Sequence, residues 1–241
     1  LYPFAATISK SDVTVEDVIE NIDIGGPTML RSAAKNVGWV ATVVDVNDYD
    51  AILEEMRADG ITYKTRKDLQ VKVFGHTGAY DSLIYSHFSH ATGYIERTEE
   101  VNDFTDPLLL SYEKAYDLRY GENPHQNAAV YKEPGNTDNN LLNANILQGK
   151  KLSYNNLGDT DGALATLREF TEPACVVVKH ANPCGVATGE DILDVFKRAY
   201  AADSLSAFGG IIALNRPCTK EIAEEVVSVY AEILVAPSYE D

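Results

Sequence analysis

The run from Cys175 to Val178 constrains this chain more than any other stretch. It follows Pro173 and Ala174, is short and β-branched, and has no polar interruption. Such a run predicts a buried strand of a parallel sheet. It stops at two ionisable side chains, Lys179 and His180. Asn182-Pro183 then predicts a turn, and Gly185 and Gly189 an open loop until a helix begins near Glu190. Ligands of open α/β sheets bind beyond the carboxyl ends of the strands. The sequence therefore sets an imidazole base and a cation where a substrate would sit. A Lys-His pair is not by itself a specific motif, and two solvated residues in a strand-to-helix loop would read the same way.

The flanking pattern sets the fold class. From residue 174 onward strands and helices alternate: a helix over Asp191–Ala202, a glycine-led strand over Phe208–Leu214, a helix over Thr219–Tyr230 capped by Thr219, and a strand over Glu232–Ala236. This predicts an α/β chain with a parallel or mixed sheet and right-handed crossovers. Upstream, Asp159–Phe170 reads as a helix, Asn127–Lys132 as a strand, and Ile146-Leu147 as a short strand. Arg119–Gln126 and Glu133–Asn140 are turn-rich. Residues 91–118 have weak periodicity and many acids, which suits a connection between two domains, 1–90 and 119–241.

In the first part, Leu1–Ile8 reads as the end of a strand and Trp39–Val46 as the clearest early strand. Helices are expected to Ile22 from a cap at Asp12 or Thr14, over Thr28–Asn36, over Asp48–Asp59, and from Thr62 to about Ser89. Gly25 and Gly26, ahead of Pro27, open the second of these. Free N–H groups at such a start suit an anion, although ordinary helix starts look the same. His76, His87 and His90 lack partners at ligand spacing, so no metal is expected from them.

Composition excludes some functions. The net charge is −17, with a pI near 4.6. That argues against non-specific nucleic-acid binding, while leaving room for a locally basic pocket for small anions. No stretch has the ~18 apolar residues of a membrane helix, and no signal peptide is visible at Leu1–Phe4. Three scattered cysteines fit a reducing cytoplasm rather than a disulfide framework. The chain does not begin with Met and reads as an excerpt of something longer.

Five stretches, in order, carry a resemblance: DIGGPTMLRSAAKN, LRYGENPHQ, LSYNNLGDTDGAL, VVVKHANPCGVATG and SAFGGIIALN. Together they resemble the bifunctional AICAR transformylase/IMP cyclohydrolase family of purine biosynthesis, over essentially the whole chain. The resemblance implies that residues 1–90 are the C-terminal part of a methylglyoxal-synthase-like α/β/α cyclohydrolase domain. It implies that 119–241 are the N-terminal part of a cytidine-deaminase-like transformylase domain, with the connection at 91–118. Its substrates would be AICAR, FAICAR and IMP, with 10-formyltetrahydrofolate as formyl donor, in a cytoplasmic homodimer whose transformylase site is shared between subunits. Phosphate loops are expected upstream of Leu1 and most of the folate site beyond Asp241. The competing reading is thus a folded or dimerisation core without turnover.

The resemblance also implies roles. His180 would be the general base for the AICAR amine, and Lys179 would stabilise the developing oxyanion and assist proton transfer to the leaving folate nitrogen. Arg119 and Tyr120 would bind nucleotide, and Phe208 and Gly209 would wall its site. His125 matches the family's PHQ turn and is expected to be structural or to stand behind the substrate-binding residues, with direct contact to substrate the lesser alternative. In ring closure, Lys35 would move the proton, Tyr2 would lie by the reacting groups, and Asp23 with Ile24 would bind the heterocycle. A zinc deaminase would need H-x-E and P-C-x-x-C ligands. Here Pro183-Cys184 has no second cysteine and His180 is followed by Ala181-Asn182, so no zinc is expected.

Overall fold

The structure is a computed structural model. It describes residues 1–90, 106–134, 136 and 138–240. The chain divides into two units, Leu1–Glu113 with Lys132–Asn136, and Lys114–Tyr131 with Thr137–Asp241. Of the connection expected over 91–118, residues 91–105 lie outside the described residues.

In the first unit, residues 1–90 form helices and loops without a strand. The helices are α1 (Phe4–Ile8), α2 (Val15–Glu20), α3 (Gly25–Lys35), α4 (Tyr49–Arg57) and α5 (Tyr63–His90). Thr14 starts α2 through a capping box: its hydroxyl accepts the Asp17 N–H while the Asp17 carboxylate accepts the Thr14 N–H. The apolar start of the chain is helical, not extended as expected. Phe4 and Thr7, one turn apart, are buried together. Phe4 packs with Val18 and Tyr80 in a core that also takes in Ile22, Leu83 and Phe88.

Trp39–Val46 is also not a strand. Trp39 is 88% exposed, and residues 40–45 join no ladder. β-branched composition describes a surface that fits a sheet, but a strand also needs a partner to take its N–H and C=O groups. Residues 1–90 supply none.

The second unit holds a two-stranded ribbon, β1 (Glu113–Asp117) with β2 (Ala129–Lys132), apart from its end residues Glu113 and Lys132, and a four-stranded sheet. The sheet is ordered β4 (Asn182–Thr188), β3 (Ala174–Lys179), β5 (Ile211–Leu214), β6 (Ile233–Val235). The remaining helices are α6 (Tyr154–Leu167), α7 (Ile192–Ala202), α8 (Ser204–Ala207) and α9 (Lys220–Val229). Ser153 caps α6, which begins five residues before the expected Asp159, and Thr219 caps α9 as its sequence predicts. Neither β1 nor α8 was expected, and Ile146-Leu147 forms no strand.

The sheet is mixed. β3 runs antiparallel to both neighbours, and only β5 and β6 are parallel. The parallel reading of Cys175–Val178 is thus corrected. Alternation explains the unbroken apolar run. Cys175 and Val177 face a core built with α7 and α9, and Val176 and Val178 face one built with α6. A strand covered on both sides needs apolar residues at every position, whatever its neighbours' direction. The segment after it is likewise not an open loop: Asn182–Thr188 turns straight back as β4, with Lys179 opposite Asn182.

Candidate active site

Antiparallel pairing gathers one end of this sheet. The end of β3, the start of β4, the start of β5 and the start of β6 lie together, since Val178 is opposite Ile211 and Ile211 opposite Ile233. Lys179, His180, Phe208 and Gly209 all fall there.

His180 and Ala181 are the two central residues of the β3–β4 connection, with φ of 54° and 61°. Two-residue hairpins of this hand favour Asn-Gly. Left-handed backbone costs an L-residue about 1–2 kcal/mol. The sequence puts His and Ala at this cost, and strain of this kind concentrates at functional sites. His180 is exposed at the tip. Its carbonyl accepts the Asn182 side-chain amide at 2.8 Å, and the Ala181 N–H donates to Asp159 Oδ1 at 2.7 Å.

Lys179 is half-buried and donates from Nζ to the Gly209 carbonyl at 2.7 Å. Gly209 has φ +65°, and a Cβ there would lie 3.2 Å from Lys179 Nζ and 3.5 Å from the Tyr230 ring. Its N–H donates to the Tyr230 carbonyl. Tyr230 is itself left-handed, φ 54°, and its ring lies 5.2 Å from that of Phe208 with the planes 31° apart. Both rings are largely exposed. Burial pushes the Cys184 thiol up, and the Lys179 ammonium pulls it the other way.

Arg119 and Tyr120 come to the same unit on the turn after β1. The Arg119 guanidinium sits 4.8 Å above the Tyr120 ring and donates to its hydroxyl. The turn is tied to the start of α6, where the Tyr154 N–H donates to the Tyr120 carbonyl. From the same turn of α6, Asn156 donates its side-chain amide to Glu232 at the start of β6. Helix α6 thus reaches both the Arg119-Tyr120 turn and the His180-Ala181 turn. His125 is exposed in the turn that Gln126 closes by accepting the Asn123 N–H.

The first unit brings together part of its predicted set. The Asp23 carboxylate accepts the Tyr2 and Gly26 N–H groups, and the Asp23 N–H donates to the buried Tyr80 hydroxyl at 2.7 Å. The helix start that looked open to an anion is therefore met by the chain's own carboxylate, and a Cβ on Gly26 would collide with it. Ile24 is exposed beside them. Lys35 is not with this group. It is exposed at the last residue of α3, ten positions beyond Gly25, or about 15 Å at 1.5 Å per residue.

Asp159, Tyr230 and the Asn156–Glu232 pair escaped the sequence reading. Asp159 lies in a quoted motif, but nothing in the residue order says that a helical carboxylate meets a turn 22 positions on. Tyr230 follows a helix where glycine is the usual left-handed residue, so no pattern marks it. Among the described residues no three His, Cys, Asp or Glu side chains converge as metal ligands. His87 stacks edge-on against Phe4 and Phe88.

The model of the AICARFT/IMPCHase bienzyme family matches residues 33–241. The chain belongs to that family. It is 50% identical over 242 aligned residues to the bifunctional purine biosynthesis protein PurH of Listeria monocytogenes serotype 4b (strain CLIP80459), covering 100% of this chain and 46% of that protein. The PurH of Bacillus cytotoxicus (strain DSM 22905 / CIP 110041 / 391-98 / NVH 391-98) is 51% identical over 240 residues, covering 99% of this chain and 45% of the relative. The chain thus spans about half the length of the curated bienzyme relatives it matches. In this member of the family Lys179, His180, Phe208 and Gly209 share one end of one sheet. No helix among the described residues is long and apolar enough to cross a membrane.

Proposed function

We propose that the protein carrying this chain performs the last two steps to IMP. It transfers a formyl group from 10-formyltetrahydrofolate to AICAR, then closes FAICAR to IMP with loss of water. The observation that carries the reading is Lys179, next to His180 at the end of β3 and held to the Gly209 carbonyl, in a chain of the AICARFT/IMPCHase bienzyme family.

The 5-amino group of AICAR is a poor nucleophile, because its lone pair delocalises into the ring and carboxamide. His180, at the exposed tip of its turn, takes the amine proton as the C–N bond forms. Lys179 spends one N–H on Gly209, which fixes its head, and offers the others to the formyl oxygen as it gains charge. The proton then passes to the folate nitrogen as its bond to the formyl carbon breaks. Arg119 and Tyr120 hold the nucleotide, a guanidinium suiting its phosphate or carboxamide oxygens, and Phe208 and Gly209 wall the heterocycle. Ring closure belongs to the first unit. There Tyr2, Asp23 and Ile24 hold FAICAR, and Lys35 moves the proton as the carboxamide nitrogen closes on the formamide.

In domain terms, residues 1–90 are the C-terminal part of a methylglyoxal-synthase-like domain, 91–118 the connection, and 119–241 the N-terminal part of a cytidine-deaminase-like domain. The protein works as a cytoplasmic homodimer without a metal. Two assays test the activities: AICAR with 10-formyltetrahydrofolate in one, FAICAR alone in the other. Formation of FAICAR and of IMP is expected, and absence of both products would overturn the reading.

A further inference from the structure

We propose that Asp159 is a positioning residue for His180, acting through the backbone of the turn that presents the imidazole. The inference rests on the reading of His180 as the base for formyl transfer.

The turn is an improbable one for its residues. Both His180 and Ala181 are left-handed; positive φ is uncommon for any residue with a Cβ, and alanine, unlike asparagine, aspartate or histidine, is not enriched there. Local sequence does not select this conformation, so contacts from elsewhere must. Two of them come from α6. Asp159 Oδ1 accepts the Ala181 N–H at 2.7 Å. One turn further along the helix, Gly162 passes so close to the Ala181 carbonyl that a Cβ there would lie 3.2 Å from its oxygen. Asp159 and Gly162, three positions apart, lie on one side of α6. Ala163, next along the same helix, is buried against Ala174, Val176 and Val178 of β3. The helix that forms one wall of the β3 core thus also clamps the turn at the end of β3.

His180 leaves the strand at the tip of this turn, so its direction follows the turn's two φ angles. Without the Asp159 acceptor the Ala181 N–H loses its partner, and the turn is free to relax toward right-handed conformations. That swings the imidazole away from the amine it must deprotonate. Misplacement of a catalytic group by about 1 Å costs on the order of 10²-fold in rate. Nucleotide binding through Arg119 and Tyr120 does not depend on this hydrogen bond, so the loss should fall on kcat.

The test uses the protein carrying this chain and compares four variants. Asp159→Ala should lower kcat for formyl transfer by roughly 10- to 100-fold, with KM for AICAR within about threefold and ring closure of FAICAR unchanged. Asp159→Asn keeps a carbonyl acceptor in place and should retain most of the activity. Adding Ala181→Gly to Asp159→Ala should restore kcat at least severalfold, because glycine adopts φ near 61° without the steric cost that alanine carries. His180→Ala is the control for the underlying reading. If His180→Ala itself transfers formyl normally, the base assignment fails. If His180→Ala is crippled while Asp159→Ala is not, only the role of Asp159 is overturned. Equal losses in Asp159→Asn and Asp159→Ala, or a double variant no better than Asp159→Ala, also overturn it.

Discussion

Lys179 donates its side-chain ammonium to the carbonyl oxygen of Gly209 at 2.7 Å, joining the end of β3 to the residue that leads into β5. The contact is possible because residue 209 is a glycine. It sits at φ +65°, and its missing Cβ leaves the space occupied by the lysine head and the Tyr230 ring.

Gly209→Ala should therefore act twice. A left-handed alanine costs about 1–2 kcal/mol, which chemical denaturation will read. The new methyl group also pushes against Lys179 Nζ, so formyl transfer should fall at least tenfold, while IMP formation from FAICAR continues. An alanine variant as stable and as active as the parent would count against both the backbone argument and the assigned lysine position.

His180→Ala should remove roughly 10²- to 10⁴-fold of the formyl-transfer rate, the range of a general base. Supplied FAICAR should still close to IMP at nearly the parental rate. If both rates fall together while the melting temperature holds, His180 does not belong to one site alone.

Lys35→Ala should do the reverse. Lys35 is solvent-exposed at the end of α3, so its removal should leave stability within about 0.5 kcal/mol. Formyl transfer should persist and FAICAR should accumulate. Undiminished conversion of FAICAR to IMP would dispose of the proton-transfer role.

Cys175 gives a prediction that does not depend on catalysis. Burial pushes its thiol from 9.0 up to about 12. The folded state thus keeps a proton that the unfolded chain releases above pH 9. Stability from this group is complete below pH 9 and is lost as the pH rises toward 12. Melting temperature should fall over that alkaline range, and less steeply in Cys175→Ala. Identical slopes in the two proteins would show that the thiol is not the titrating group.

The features legible in residue order alone are those whose cause is local. Thr219 announced its helix, and Thr14 was one of two candidate caps with Asp12, because a side-chain oxygen ahead of a helix satisfies the first free N–H groups. The apolar run of β3 announced burial because every one of its residues meets a packed face. The long motifs announced the family, which the match over residues 33–241 shows. What residue order left to the tertiary structure was everything that needs a partner far along the chain. Strand direction is one case: the same apolar run serves parallel and antiparallel neighbours, and only packing chose the latter. Trp39–Val46 is another, a strand in composition with no ladder to join. The His180-Ala181 turn is the sharpest. Local preference argues above all against a left-handed Ala181. A carboxylate 22 positions upstream, brought there by α6 packing on β3, accepts the amide that such a turn exposes.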